Sequence, residues 1–295
     1  MSETEAATVS NEAIDLLWHG VDHTEGLAID VDSAVWCGGE EGQIYRAPLA
    51  AKLKQIAEVP GRPLGFALDG SGDAYCCVFL GDNGLYRITK DGQVELLSVG
   101  TPGRAVHTPN FPAFLPTGQL LFTDSGDWGD ASGCIYALDG DGGTSVVDES
   151  CAEFPNALAV SPDSVTLAVV ESTLPGVSLL TIGSDGSLSD RRTYCKLPGT
   201  IPDGVAWGRD GQLLISCWAP DAIYSFDGDR VSTVARDDTR FVLNQPTNIA
   251  FVPGTSRLVA ANIGDRFLSA LDVGFVGADL HRPRFTPPGL GGVAN

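Results

Sequence analysis

The chain has 295 residues, of which 36 are Gly and 18 are Pro. Together they make up about 18% of the chain, against a background of roughly 12%, which predicts many short elements joined by tight turns. The formal charge of −20 argues against nucleic acid or an anionic membrane as partner, because both reward clustered Lys and Arg.

The N-terminal segment MSETEAATVSNEAIDLL is acidic and lacks the basic and apolar parts of a secretory signal. No apolar run approaches the roughly 20 residues of a membrane-spanning helix, so a cytoplasmic protein is expected. The cysteines are odd in number and show no CxxC spacing, which favours buried, reduced thiols. They are Cys37, Cys76, Cys77, Cys134, Cys151, Cys195 and Cys217.

One segment recurs along the chain: an apolar run, a short turn and a second β-rich run. The copies are LAIDVDSAVWC, GFALDGSGDAYCC, PAFLPTGQLLFTD, LAVSPDSVTLAVVE, VAWGRDGQLLISC and IAFVPGTSRLVAAN. Their second turn residues are Ser33, Gly72, Gly118, Ser164, Gly211 and Ser256, at spacings of 39, 46, 46, 47 and 45 residues. A period of this length is typical of a four-stranded propeller blade.

A third strand and, in most copies, a more polar fourth segment follow each pair of runs. The pattern predicts an all-β, six-bladed β-propeller with four antiparallel strands per blade. The sixth copy ends near Asp272 without a fourth strand, so the spare strand within residues 12–20 is expected to complete that blade and close the ring. We expect one domain over residues 1–295, with the propeller at about 12–276 and a wrapping or frayed tail at 277–295.

Polar residues recur at one register, eight positions before each turn residue. The six positions hold Glu25, Leu64, Asn110, Asn156, Asp203 and Asn248. Equivalent positions of innermost strands converge on the propeller axis, and carboxylate and carboxamide oxygens suit a hard cation such as Ca²⁺. The simpler alternative is that Asn and Asp begin these strands as turn residues.

FPNALAVSPD, IPDGVAWGRDG, TPNFPAFLPTGQLLFTD and TEGLAID resemble the metal-binding segments of the SMP-30/gluconolactonase/luciferin-regenerating family. The resemblance runs from about residue 12 to 272 and implies a six-bladed propeller that hydrolyses ester bonds, including those of lactones. It implies that Glu25, Asn156 and Asp203 bind one catalytic divalent cation. Ca²⁺ is favoured, with Mg²⁺, Mn²⁺ or Zn²⁺ as alternatives, and Asn110 is a fourth ligand or a substrate contact.

The sequence departs from that family at several informative positions. An Arg-x-Asn-Asp stretch of the sugar lactonases reads Thr108-Pro109-Asn110-Phe111 here, which weakens gluconolactone as a substrate. Members of that family that resemble the squid-type diisopropylfluorophosphatase, the phosphatase-like members, hold a second, structural calcium. The side chains for it would stand where this chain has Ala206 and Ala250, so one metal is predicted. The stretch Thr24-Glu25-Gly26-Leu27 also departs from the Gly-Glu-Gly-Pro sequence that the family has at its first metal ligand.

The predicted function is a metal-dependent lactonase acting on a small, partly apolar substrate. Asp203 is the predicted catalytic residue, as general base or as nucleophile. Predicted substrate contacts are Asn110, His107, Trp128, Glu171, Trp218 and Asn248. Hydrolysis of a phosphotriester or another activated bond, and a non-catalytic binding platform, are the alternatives. No nucleic acid or membrane partner is expected, and the chain is expected to be a monomer or a small homo-oligomer.

Overall fold

The computed structural model describes residues 8–138 and 142–285. Blade one comprises Leu27–Ile29, Ala34–Gly38, Gln43–Pro48 and Gln55–Glu58. Blade two comprises Arg62–Leu68, Ala74–Phe79, Gly84–Ile88 and Val94–Ser98. Blade three comprises Pro109–Phe114, Leu120–Asp124, Cys134–Leu138 and Thr144–Asp148. Blades four and five comprise Pro155–Val160, Thr166–Glu171, Gly176–Ile182 and Leu188–Lys196; and Ile201–Trp207, Leu213–Ala219, Ala222–Phe226 and Val231–Arg236. Blade six comprises Pro246–Phe251, Arg257–Asn262, Leu268–Asp272 and the N-terminal Asp15–Leu17. A small hairpin (Gly100–Thr101, Arg104–Ala105) and a 3₁₀ turn (Asn11–Ala13) complete the elements.

The six sheets form a closed ring, which confirms the predicted six-bladed propeller. The first strands of neighbouring blades contact one another all the way round, including blade six with blade one, so these strands surround the axis. Asp15–Leu17 pairs antiparallel with Leu268–Asp272, with Leu16 opposite Ser269. The N-terminal strand therefore closes the ring and covers an otherwise open sheet edge. We call the end where the inner strands begin the upper end of the axis, and the other end the lower end.

Turn chemistry explains the recurring turn residues. Gly72 and Gly118 have φ of 87° and 90° in the turns between first and second strands, a region that only glycine enters without cost. In blade six the glycine of this turn is Gly254, at φ 72°, two residues before the recurring turn residue Ser256. The high glycine content is therefore a consequence of many tight antiparallel turns.

Six apolar clusters fill the six interfaces between neighbouring blades. Trp36, Tyr75 and Tyr136 are among their largest fully buried side chains. All seven cysteines are buried free thiols in these layers, as predicted, and burial raises the thiol pKa of Cys37 to about 12. Within the described residues, no helix is long and apolar enough to cross a membrane.

The C-terminal segment, as far as residue 285, runs across the lower end of the ring. The Ala278 amide donates to Trp207 O, and Arg282 donates through Nη2 to Ile29 O at 2.6 Å. Phe285 then packs edge-on against Tyr75, with the ring centroids 5.5 Å apart. The remainder of the expected tail, residues 286–295, lies outside the described part.

Candidate functional site

Backbone irregularities turn the polar register toward the axis. The inner strands of blades two to six each shift register near the upper end, as between Pro155 and Leu158 or between Pro202 and Val205. Such a bulge lets a side chain leave the face of the sheet. Proline suits these positions because it has no N–H to leave unpaired. The Pro-Asn and Pro-Asp pairs of the sequence therefore mark the places where the axial side chains emerge.

Asp203 is the hub of the axial group. Its Oδ2 accepts a hydrogen bond from Asn156 Nδ2 at 3.2 Å, and its Oδ1 accepts one from Asn248 Nδ2 at 3.4 Å. The three residues are only 7%, 3% and 1% exposed. Blades four, five and six thus meet at one carboxylate, as the register predicts.

Glu25 enters the group from blade one. Its backbone carbonyl accepts from the Asn248 amide at 3.2 Å and from the Thr247 hydroxyl at 2.7 Å, which joins blade one to blade six. Its carboxylate lies 3.6 Å from Arg62 Nε, and the side chain is 14% exposed. Arg62 also contacts Glu40 at 3.2 Å and the His23 carbonyl at 3.2 Å.

Asn110 is held by a relay of hydroxyl groups. Its Nδ2 donates to Ser125 Oγ at 3.1 Å, and that hydroxyl donates to Pro155 O of the next blade at 2.7 Å. Blade four repeats the arrangement, because Ser172 Oγ lies 3.4 Å from Asn156 Nδ2 and donates to Pro202 O at 2.7 Å. Each relay fixes a carboxamide and ties its blade to the next one.

The two axial carboxyl groups are poorly solvated and close enough to influence each other. Burial raises the pKa of Glu25 to about 7, although the Arg62 guanidinium opposes the shift. Burial, and next the charge of Glu25, raise the pKa of Asp203 well above its ordinary value, against the hydrogen bonds from Asn156 and Asn248. Two such carboxylates favour a partner that brings positive charge.

Two buried acceptors point to the same conclusion. Asn156 Oδ1 and Asn248 Oδ1 are fully buried and have no hydrogen-bond partner, although buried polar atoms nearly always have one. Their amide nitrogens both face Asp203. Carboxylate and carboxamide oxygens are the ligands that hard divalent cations prefer, so the donor set fits such a cation.

The predicted substrate contacts separate into two groups. Asn110 and Asn248 lie in the axial group described above. His107 and Trp128 are exposed at the upper end, where Trp128 meets Phe154 edge-on at 4.8 Å between ring centroids. Trp218 is 36% exposed and is the last residue but one of the second strand of blade five.

Glu171 stands apart from the other predicted contacts. Its carboxylate is fully buried, paired with Arg191 Nη2 at 2.6 Å and hydrogen-bonded to the Ser178 hydroxyl. It also accepts from the Glu153 amide at 3.3 Å. These partners occupy it inside blade four, so we leave Glu171 out of the proposed substrate contacts.

A second group of possible metal ligands lies beside the axial one. Among the described residues, Asp22, His23 and Glu40 bring one ligand atom each to within 4.8 Å of one another. His23 Nδ1 is 3.3 Å from both carboxylates. Glu40 is half exposed and already pairs with Arg62, so this cluster is better solvated than the axial group.

Sequence reasoning missed the residues that support the axial group. Arg62 lies two positions before Leu64, the apolar member of the register, and no motif identified it. Ser125 and Ser172 each follow directly after the second strand of their blade, and that shared position could have revealed them.

Comparisons with known proteins identify the family. The model of the SMP-30/gluconolactonase/LRE-like region matches residues 23–260, while no curated protein matches the chain. A gluconolactonase from Xanthomonas campestris is similar in fold, with 23% identity, a TM-score of 0.74, and coverage of 88% of this chain and 89% of that one.

Two further solved structures share the fold. A luciferin-regenerating enzyme is 16% identical at a TM-score of 0.72, covering 91% and 99% of the two chains. A calcium-binding protein, regucalcin, from Agrobacterium tumefaciens is 17% identical at a TM-score of 0.68, covering 92% and 98%. Since the family model spans most of its length, the chain belongs to the SMP-30/gluconolactonase/LRE-like family.

Proposed function

We propose that the chain is a divalent-cation-dependent hydrolase that opens a small, partly apolar lactone. The observation that carries the proposal is the axial group: two buried carboxyl groups of raised pKa together with two buried carboxamide oxygens that have no partner. Lactonase activity is also what the name of the gluconolactonase of similar fold describes.

Glu25, Asn156 and Asp203 would hold the cation, with Asn110 as a fourth ligand or a substrate contact. Ca²⁺ is the favoured ion, because oxygen-only donors suit it and because the regucalcin of similar fold is described as calcium-binding. When bound, the cation supplies Lewis acidity toward the lactone carbonyl and the oxyanion that develops from it.

Asp203 carries the proton chemistry in this proposal. One carboxylate oxygen would serve the cation, and the other would take a proton from the attacking water. Direct attack by that oxygen, giving an acyl intermediate, is the alternative. Asn156 and Asn248 hold the carboxylate in place from both sides through their Nδ2 groups, so the second oxygen stays directed at the axis.

The surroundings favour a substrate that is less polar than a sugar lactone. Trp128 and Phe154 offer an aromatic edge at the upper end, and Trp218 offers a second partly exposed ring. Leu64 takes the axial slot of blade two with an apolar side chain. His107 is the exposed polar group nearest in sequence to Asn110 and is a proposed contact for the leaving group or ring oxygen.

A lactone panel tests the proposal. Purified protein, stripped with chelator and reloaded with Ca²⁺, should hydrolyse alkyl-substituted lactones faster than gluconolactone, and lose the activity on stripping. Asp203→Asn should lower it by roughly 10²-fold or more, while Glu40→Gln, which removes a carboxylate of the neighbouring cluster, should retain it. Turnover of phosphotriesters and not of lactones would move the assignment to the phosphatase-like alternative. No turnover of either class would favour a binding platform.

A further inference from the structure

A ring of alanines surrounds the axis below the polar group. The last residue but one of the first strand is alanine in all six blades. The residues are Ala28, Ala67, Ala113, Ala159, Ala206 and Ala250. Alanine is disfavoured in β-strands, so six alanines at one depth indicate a requirement for space. Four of them, Ala67, Ala113, Ala206 and Ala250, remain partly exposed although they lie in the innermost strands.

The space beside this ring is a cavity of about 230 Å³. All six alanines line it, together with larger apolar side chains such as Phe66 and Val205. An apolar cavity of about 150 Å³ already binds benzene, so this one has room for a somewhat larger molecule. The depth at which the family resemblance would place a second cation offers only methyl groups at Ala206 and Ala250.

The cavity is separate from the axial polar group. None of Glu25, Asn110, Asn156, Asp203 and Asn248 lines it. The hydrogen bonds from Asn156 and Asn248 to Asp203 join the neighbouring blades four, five and six above it. The exposed residues of its lining include Val31 and Leu280, at the lower end of the axis.

The C-terminal segment forms the lower boundary. Residues 277–282 line the cavity beside Val31, which lies in the turn between the first and second strands of blade one. Val31 and Leu280 are 72% and 62% exposed and make the rim apolar. Exposed apolar side chains at the rim of an apolar cavity are typical of a ligand entrance.

Charge at the boundary is asymmetric. Arg282 lines the cavity and is partly buried, held by its hydrogen bond to Ile29 O, whereas Asp279 is exposed. His281 is tied to the Ser164 hydroxyl at 3.0 Å. Of the two side chains of opposite charge that line the cavity here, Arg282 lies deeper than Asp279. The buried carboxylate of Asp30 interacts with the Arg282 guanidinium from outside the lining, and a guanidinium is a strong partner for a further carboxylate.

We propose that this lower axial cavity binds a small amphipathic carboxylate, with its hydrocarbon part against the alanine ring and its carboxylate at Arg282. The site lies apart from the proposed hydrolytic centre and does not depend on it.

Octanoate is the probe, measured by calorimetry on the full-length protein. We expect saturable binding at one site per chain. Ala67→Leu and Ala113→Leu fill the cavity from different blades and should each weaken binding at least tenfold, while Ala105→Leu, on the exposed hairpin, should leave it unchanged. Arg282→Gln, which keeps a donor for Ile29 O, should weaken octanoate binding about tenfold and leave octanol binding unchanged.

A second measurement needs no space-filling variant. In protein labelled with ¹³C at alanine methyls, octanoate should shift the signals that disappear in Ala67→Gly and Ala113→Gly. The proposal is overturned if octanoate does not bind saturably, if its shifts fall on other alanines, or if folded Leu variants bind it as tightly as the unmodified chain does. Equal losses of octanoate and octanol in Arg282→Gln would refute the role of the guanidinium.

Discussion

Replacing Glu25 by Gln should stabilise the cation-free protein at neutral and alkaline pH. The pKa of this carboxyl rises from 4.5 to about 7 because it is buried. A shift of about 2.5 units corresponds to on the order of 3 kcal/mol. Because the folded state binds the proton more tightly, the unmodified chain loses this stability as pH rises from 4.5 to 7. Gln carries no such charge, so the variant keeps it.

Urea unfolding in chelator at pH 4.5 and pH 8 measures the effect. The variant should match the unmodified chain at pH 4.5 and exceed it by on the order of 3 kcal/mol at pH 8. Glu40→Gln, whose parent side chain is 49% exposed, is the control and should show no such gain. An equal or lower stability of Glu25→Gln at pH 8 would refute the reasoning that this buried carboxylate destabilises the folded protein without a cation.

Added Ca²⁺ should reverse the order. A ligand that binds only the folded state stabilises it by about 4.1 kcal/mol at one thousand times its dissociation constant. The unmodified chain should gain this stability at pH 8, and Glu25→Gln should gain little, because one charged ligand is missing. The same carboxylate would thus destabilise the folded protein without the ion and stabilise it with the ion.

Three further results are expected. Asp203→Asn should lower kcat for the best lactone by roughly 10²- to 10⁴-fold with the fold intact by circular dichroism; near-normal turnover would exclude Asp203 as the base or nucleophile. Ser125→Ala breaks the relay from Asn110 to the next blade and should cost about 1–3 kcal/mol in urea unfolding, whereas an unchanged midpoint would mean that water replaces the hydroxyl. Arg62→Gln should move the pH midpoint of Ca²⁺ binding upward, because the guanidinium lowers the pKa of Glu25; a downward move would contradict that sign.

The sequence was sufficient to predict the blades and the axial register. Turn glycines and alternating apolar runs recur with a nearly constant period, and a closed ring converts a shared register into a shared position in space. Asn156, Asp203 and Asn248 meet for this reason. The spare strand at the N-terminus followed from the same count, because an open sixth blade would leave unpaired backbone groups.

The remaining features depend on geometry that no period encodes. Arg62 reaches Glu25 across a blade boundary, and a long side chain can take many directions from one register position. Glu171 occupies a strand end like other site candidates, yet its pairing with Arg191 draws it into the blade. The path of the C-terminal segment across the lower end was expected only as wrapping, since its Pro/Gly-rich sequence sets no direction.

Direct Ca²⁺ titration of the stripped protein by calorimetry tests the central claim most directly. One ion should bind per chain, Glu25→Gln and Asp203→Asn should each lose that binding, and Glu40→Gln in the neighbouring cluster should retain it. Absence of binding in the unmodified chain, or loss in Glu40→Gln with retention in Asp203→Asn, would contradict an axial cation site.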